Sequence, residues 1–250
     1  TVSLEGHPVA DILNDGSFAR IPVKDAFADV SFELRAPAEP RRAVVDIAKC
    51  NACHDASGAG LSFHGDNRTS EMQVCVVCHN PDSTDIRRRP APPAPTPDGK
   101  REESVDMKRM IHGIHAGEEL AQGLVIYGFG GNPTDYSGVG FTGSNRNCLT
   151  CHFPGTYGVE AASQTLASTV DTGPILTDPT DDLNISPIAA ACSSCHDDLV
   201  ATNHMLLNGA SFQALDEDIV VPEPAFWSAL AAGAAGLGLL ARRRRSLSGI

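Results

Sequence analysis

All eight cysteines of the 250-residue chain fall into four copies of one five-residue pattern, Cys-x-x-Cys-His. The copies are Cys50-Asn51-Ala52-Cys53-His54, Cys75-Val76-Val77-Cys78-His79, Cys148-Leu149-Thr150-Cys151-His152 and Cys192-Ser193-Ser194-Cys195-His196. This is the attachment signature of c-type haem. Two thiols one helical turn apart bond the two vinyl-derived carbons on the haem edge, and the adjacent histidine is brought under the iron as proximal axial ligand. Paired cysteines can also build tetrahedral zinc sites or disulfides. Neither alternative explains a histidine after the second cysteine in all four copies.

The histidine inventory points the same way. Nine are present, and four are the proximal candidates His54, His79, His152 and His196. The remaining five are His7, His64, His112, His115 and His204. His7 lies far ahead of the first motif, so His64, His112, His115 and His204 match four irons one for one as distal ligands. Methionine is the competing sixth ligand. Met205, beside His204, is its one serious candidate; Met107 and Met110 read as apolar helix positions.

Aromatic residues make up only 5% of the chain, thin for a conventional core of this size. Four haems would supply flat apolar surface in their place. The expected fold is therefore a mostly irregular and α multihaem module, its short helices wrapped around four c haems, preceded by the remnant of a β domain. Covalent haem attachment takes place outside the cytoplasm, so the protein is expected to be exported. Thr1-Val2-Ser3-Leu4-Glu5 carries no basic or apolar leader, which suggests a removed signal peptide or a piece of a longer product. The net charge of −12, with four of the cations gathered at Arg242 to Arg245, argues against nucleic acid as partner and favours a basic redox protein or a positively charged mineral surface.

Residues 1–45 contain short extended runs, Asp29-Val30-Ser31-Phe32-Glu33-Leu34 and Arg42-Ala43-Val44-Val45-Asp46, that read as the end of a β domain or a lead-in. Residues 46–213 form the tetrahaem module. Its first two motifs start 25 residues apart, which makes their haems near neighbours. Arg87-Arg88-Arg89-Pro90, followed by four further prolines, reads as a solvated polyproline-type loop. A helix is predicted over 104–116, with Ser104 as N-cap, Asp106 in the first turn and Gly117 as stop. It places His112 and His115 on one face, able to serve two different irons if the helix passes between two haems.

Residues 214–224 form an acidic linker ending in Val221-Pro222-Glu223-Pro224, and residues 225–250 a weakly hydrophobic span followed by the arginines. Positive charge after the span would hold that end in the cytoplasm. The layout resembles the PEP-CTERM sorting signal, which implies a membrane-held stage before cleavage by an exosortase-type protease.

From about Arg41 to Phe212 the sequence resembles the OmcA/MtrC family of outer-membrane decahaem cytochromes. The resemblance is carried by Arg41-Arg42-Ala43-Val44-Val45-Asp46, Cys75-Val76-Val77-Cys78-His79-Asn80-Pro81, Met110-Ile111-His112-Gly113-Ile114-His115, Ile126-Tyr127-Gly128-Phe129-Gly130-Gly131 and Asn208-Gly209-Ala210-Ser211-Phe212. It implies β domains alternating with five-haem modules, bis-histidine haems with His64, His112, His115 and His204 at distal positions, and transfer of electrons to extracellular acceptors. With four motifs instead of five, the chain reads as a module truncated to four haems.

The function expected is electron transport through bis-histidine haems at the outer membrane or surface of a Gram-negative cell, toward partner cytochromes or acceptors such as metal oxides. One alternative is a multihaem reductase with one open iron acting on a small oxyanion. A second is a surface-anchored scaffold subunit of a cytochrome assembly.

Overall fold

Each haem-type motif is held on a short helical turn that a neighbouring polar side chain caps or a tertiary bond moors. The computed structural model describes residues 2–30, 40–56, 58–92, 94–158 and 164–212, all within the compact unit Thr1–Ala214. The Val-Pro-Glu-Pro motif, the apolar span and the arginine cluster lie outside the described residues. Among those described, no helix is long and apolar enough to cross a membrane.

The chain opens with two nested antiparallel pairs. Strand β1 (Val2–Leu4) pairs with β4 (Ala26–Ala28), enclosing β2 (Val9–Ala10) and β3 (Ala19–Arg20). The described strands of this segment fall ahead of the first predicted run. Asp29 and Val30 are outside any strand, and residues 31–39 lie outside the described residues. In the second run only Val45 pairs, through an isolated bridge to His152. Asp46 instead caps helix α1 (Ile47–His54), its carboxylate accepting from the Ala48 amide.

A hairpin of β5 (Ser62–Phe63) and β6 (Arg68–Thr69) leads into α2 (Met72–Cys78), capped by Glu71. Helix α3 (Met107–His115) is shorter than predicted at its start, and Ser104 is not its cap. The bridge of Thr84 to Ser104 and the bond from Val105 N to Ser83 O hold that stretch extended. Met107 N then donates to His79 O at 3.1 Å, so helix begins only beyond Asp106. The Asp106 carboxylate is drawn away to Lys108 Nζ and Ser168 Oγ. Gly117 does not stop the helix through a left-handed conformation; Ala116 is the C-cap, and Gly117 opens a 3₁₀ turn packed against Tyr136.

Pairs β7 (Val125–Tyr127) with β8 (Pro133–Asp135) and β9 (Ser168–Asp171) with β10 (Leu183–Ile185) follow. Helix α4 (Pro187–Cys192) starts with Ser186 as cap and Pro187 in its first turn, and α5 (Leu199–Leu207) starts with Asp198 as cap. The main apolar cluster is small: Ile185, Ala189, Ala190, Met205 and Ala210, with Phe212 packed against it. Buried polar residues outnumber buried apolar ones among the described residues, twelve to ten. The stretch Arg87 to Arg89 is not uniformly solvated. The Arg89 guanidinium is buried between Asp85 and Asp98, donates to Val125 O at 2.8 Å and lies over the Tyr127 ring at 4.8 Å.

Candidate haem ligand pairs

The four motifs adopt one local geometry. Cys50, Cys53 and His54 close helix α1, and Cys75 and Cys78 lie in α2 with His79 as its C-cap. The third motif opens on a 3₁₀ turn at Cys148–Thr150, and Cys192 ends α4. In the last three, the histidine amide donates to the carbonyl of the first cysteine, at 3.0 Å for His79, 2.9 Å for His152 and 3.0 Å for His196. One helical turn therefore carries both thiols and the imidazole in each case. None of the eight cysteines is paired in a disulfide. Burial raises the pKa of Cys75 to about 11. Burial first, then the neighbouring Cys151 thiol, pushes Cys50 upward as well.

Three motif histidines each face a second imidazole. His54 lies opposite His115 with ring centres 6.0 Å apart, His79 opposite His64 at 6.1 Å, and His152 opposite His112 at 6.0 Å. A metal-bound imidazole places its ring centre about 3 Å from the ion, from a bond of about 2 Å plus the half-width of the ring. Two imidazoles across one iron therefore stand about 6 Å apart. The residues fit the group.

Second nitrogens are anchored in a way that suits ligation. His79 Nδ1 donates to Val105 O at 2.9 Å and His115 Nδ1 to Ile111 O at 2.8 Å; a carbonyl can only accept, so Nε2 keeps its lone pair. His152 Nδ1 is held more loosely by Thr156 Oγ1 at 3.4 Å. The Nδ1 of His112 is buried with no partner. Burial, reinforced by His152 and His115, lowers the pKa of His112 to about 4 and so keeps its ring neutral. Burial and His79 lower His64 likewise. His64 is also conformationally special. It opens a run of left-handed residues at the tip of the β5/β6 hairpin, with φ of 56°, 67° and 68° for His64, Gly65 and Asp66. A non-glycine residue held there costs free energy, and its ring is delivered against His79.

Motifs one and three are joined directly. Asp46 N donates to Cys151 O and Phe153 N to Val44 O. The Lys49 ammonium reaches the carbonyls of Leu149 and His152 at 2.8 and 2.7 Å. Helix α3 supplies the facing ring to both, His115 to the first motif and His112 to the third. The two rings, three residues apart on the helix, thus lie against two different motifs. Lys49, Phe141 against His115 and Tyr157 against His152 carried no signal in the sequence. Lys49 and Phe141 act through contacts distant along the chain, and Tyr157 through the turn that follows its own motif.

The fourth motif differs. It is moored through side chains: Arg109 Nη1 donates to Ser193 Oγ at 2.7 Å, and the Asp197 carboxylate accepts from the Ala121 and Gln122 amides. Yet among the described residues no ring faces His196. His204 lies exposed on α5, in a stripe with Val200 and Leu207 at helical spacing, which are 80% and 76% exposed. An apolar stripe centred on an imidazole is the surface a porphyrin face would cover. Met205 points the other way, into the apolar cluster, and is not available as a ligand there. His7 is bonded to Asn67 Oδ1. No group of three His, Cys, Asp or Glu suited to a bare metal ion occurs among the described residues.

Residues 42–223 match the family described as outer membrane cytochrome MtrC/MtrF-like, domains II/IV. Comparison with the curated proteins and with the solved structures returns no match. The match covers well over half of the chain and takes in all four motifs, and the chain belongs to the MtrC/MtrF-like outer membrane cytochromes. It is a multihaem electron-transfer cytochrome of the cell envelope, with c-type haem as its cofactor.

Proposed function

We propose that the chain is a tetrahaem electron carrier in which short helices and hairpins wrap four c haems. Cys50 and Cys53, Cys75 and Cys78, Cys148 and Cys151, and Cys192 and Cys195 would hold them covalently. In this reading His54 pairs with His115, His79 with His64, His152 with His112 and His196 with His204. Haem c supplies the one-electron ferric/ferrous couple. Imidazoles on both faces leave no coordination position for a substrate, so the chemistry is outer-sphere transfer. The residues' work is to fix the distances between neighbouring sites and to set their exposure. Helix α3 serves motifs one and three together, and the backbone bonds between those motifs make them the most tightly coupled pair. The observation carrying this reading is the set of three ring separations, 6.0, 6.1 and 6.0 Å, each joining a motif histidine to a histidine outside the motifs.

Residues 1–45 would be the end of a β domain, 46–213 the haem module, 214–224 the linker with Val-Pro-Glu-Pro, and 225–250 a sorting tail handled by an exosortase-type protease. Electrons would pass to partner cytochromes or to extracellular acceptors such as metal oxides. Intact mass of the exported protein tests both halves, reporting four haem increments and cleavage near Pro224. Single His64→Ala, His112→Ala and His115→Ala variants should each convert one low-spin haem to high spin. A colourless protein, or variants that all stay fully low-spin, would overturn the assignment.

A further inference from the structure

The second ligand pair is built differently from the first and the third. His112 and His115 ride on α3, whereas His64 stands at the tip of a hairpin whose strands β5 and β6 are two residues long. A hairpin of that size is marginal by itself. Its tip is costly as well, since His64, Gly65 and Asp66 all hold left-handed φ values. The His64 ring is exposed and no hydrogen bond holds it among the described residues, so the backbone beneath decides where it points. That backbone is gripped by the amino-terminal β segment. The Asp25 amide donates to Thr69 O at 3.0 Å, and the Asp25 carboxylate accepts from the Thr69 amide at 2.8 Å. Both residues are buried, at 6% and 1% exposure. Nearer the tip, Arg20 Nη1 donates to Gly65 O at 3.3 Å, and Glu5 pairs with Arg68. His7 Nδ1 donates to Asn67 Oδ1, and Asn67 Nδ2 donates to His64 O at 3.2 Å. The same segment reaches the other half of the site. Lys24 lies 3.7 Å from Glu71, the cap of α2, and β4 packs against that helix, which carries Cys75 and Cys78.

From this arrangement, resting on the bis-histidine reading above, we infer that Asp25 is a positioning residue for His64, and that residues 5–25 decide whether the second site keeps its facing imidazole. Asp25 supplies most of the grip. Its bond to Thr69 is charge-assisted and buried, which is the strong kind. The bond from Arg20 and the pair of Glu5 with Arg68 lie at the surface, where such contacts contribute little singly. Without Asp25 the hairpin base loosens, and the left-handed tip can relax toward ordinary conformations. A His64 ring in place only part of the time gives a second site that is low-spin for only that fraction. The first and third sites take their facing rings from α3 and do not share this dependence.

The test uses the full-length, haem-loaded protein and ferric electron paramagnetic resonance. The low-spin signal that His64→Ala removes identifies the second site. Asp25→Ala should lower that signal alone and raise a high-spin signal by the same amount, and adding Arg20→Ala should carry the loss further. Asp25→Asn, whose amide oxygen can still accept from the Thr69 amide, should restore it. In a His64→Ala background, Asp25→Ala should change nothing more, because its effect runs through that ligand. The signal of the His54/His115 pair is the folding control. Should Asp25→Ala lose that control, Arg20→Ala with His7→Ala, at the surface of the hairpin, must lower the His64 signal by themselves or the inference fails. An intact control with an unchanged His64 signal in Asp25→Ala overturns the inference and leaves the bis-histidine reading standing. A silent His64→Ala sinks that reading of the second pair, and the inference with it.

Discussion

The Lys49 ammonium donates to the carbonyl of His152 at 2.7 Å, so the residue immediately preceding the first motif clamps the histidine of the third. A second bond, to Leu149 O at 2.8 Å, fixes its position further. Charge-assisted bonds of this kind contribute about 1.5–3 kcal/mol where they are shielded. Lys49→Met should therefore lower stability by about 1–3 kcal/mol in denaturant titration. It should also shift one midpoint potential downward, because a cation beside the proximal histidine disfavours the more positive ferric state. Lys49→Arg should retain most of the potential. Four unchanged potentials in Lys49→Met would remove Lys49 from the electronic argument.

Arg89 supports the region from which α3 departs. Its side chain and that of Asp85 are each 1% exposed, and that of Asp98 is 5%. Breaking a buried pair by deleting one partner typically costs about 3–5 kcal/mol. Arg89→Met is expected in that range. Arg88→Met, whose guanidinium sits 5.8 Å over the exposed Phe129 ring, should cost no more than about 0.5–1 kcal/mol. Urea midpoints of the two variants provide the comparison.

The same node sets an acid limit. Burial pushes the Asp98 carboxyl up, but bonds from Arg89 and the Lys100 amide outweigh it and leave the pKa below its ordinary 3.8. A carboxyl depressed in the folded state contributes stability that is complete above its unfolded pKa and lost as the pH falls through the folded one. Wild-type stability should therefore begin to fall only below about pH 4 on this account. In Arg89→Met, burial is left unopposed by the guanidinium, and the decline should begin at higher pH. Chemical denaturation from pH 3 to 7 would reveal it.

Ring orientation separates the first pair from the other two. His54 and His115 are inclined at 76°, whereas His64/His79 and His112/His152 are inclined at 21° and 20°. Near-perpendicular imidazoles leave two iron d orbitals close in energy, and near-parallel ones split them. The ferric protein should show one low-spin electron paramagnetic resonance signal with a large maximum g value, alongside rhombic signals. His115→Ala should delete the former selectively. Its survival would place the perpendicular pair elsewhere.

Much of the site could be read from residues alone because covalent haem chemistry dictates a local pattern. Two thiols and an imidazole must share one helical turn, and that requirement is written in five consecutive letters. The His112/His115 pair was legible for the same reason, since helical spacing fixes which side chains share a face. What stayed hidden depends on contacts distant in sequence. Ser104 has the chemistry of a cap, yet the bridge to Thr84 and the bond from Met107 to His79 decide where α3 begins. Arg89 looks like one arginine of a solvated run until Asp98 and Val125 close around it. Lys49 has no local feature that points 100 residues away to Leu149.

Gly117 gives the sharpest test of how α3 is seated. A methyl group at this position would lie 1.9 Å from Tyr136 O, which is backbone and cannot rotate aside. The glycine therefore permits close approach and is not needed for a left-handed turn. Overpacking typically costs about 1–3 kcal/mol, and a clash with backbone belongs at the upper end. Relief would push the 136–139 turn away from the end of α3, breaking the bond from Glu118 N to Val139 O. Two residues earlier stands His115, whose ring lies 5.6 Å from Phe141 on the same turn's downstream arm. Gly117→Ala should thus lower stability and perturb the spectrum of the haem paired through His115, leaving the His64/His79 signal intact. A stable variant with all spectra unchanged would show that the close approach is dispensable.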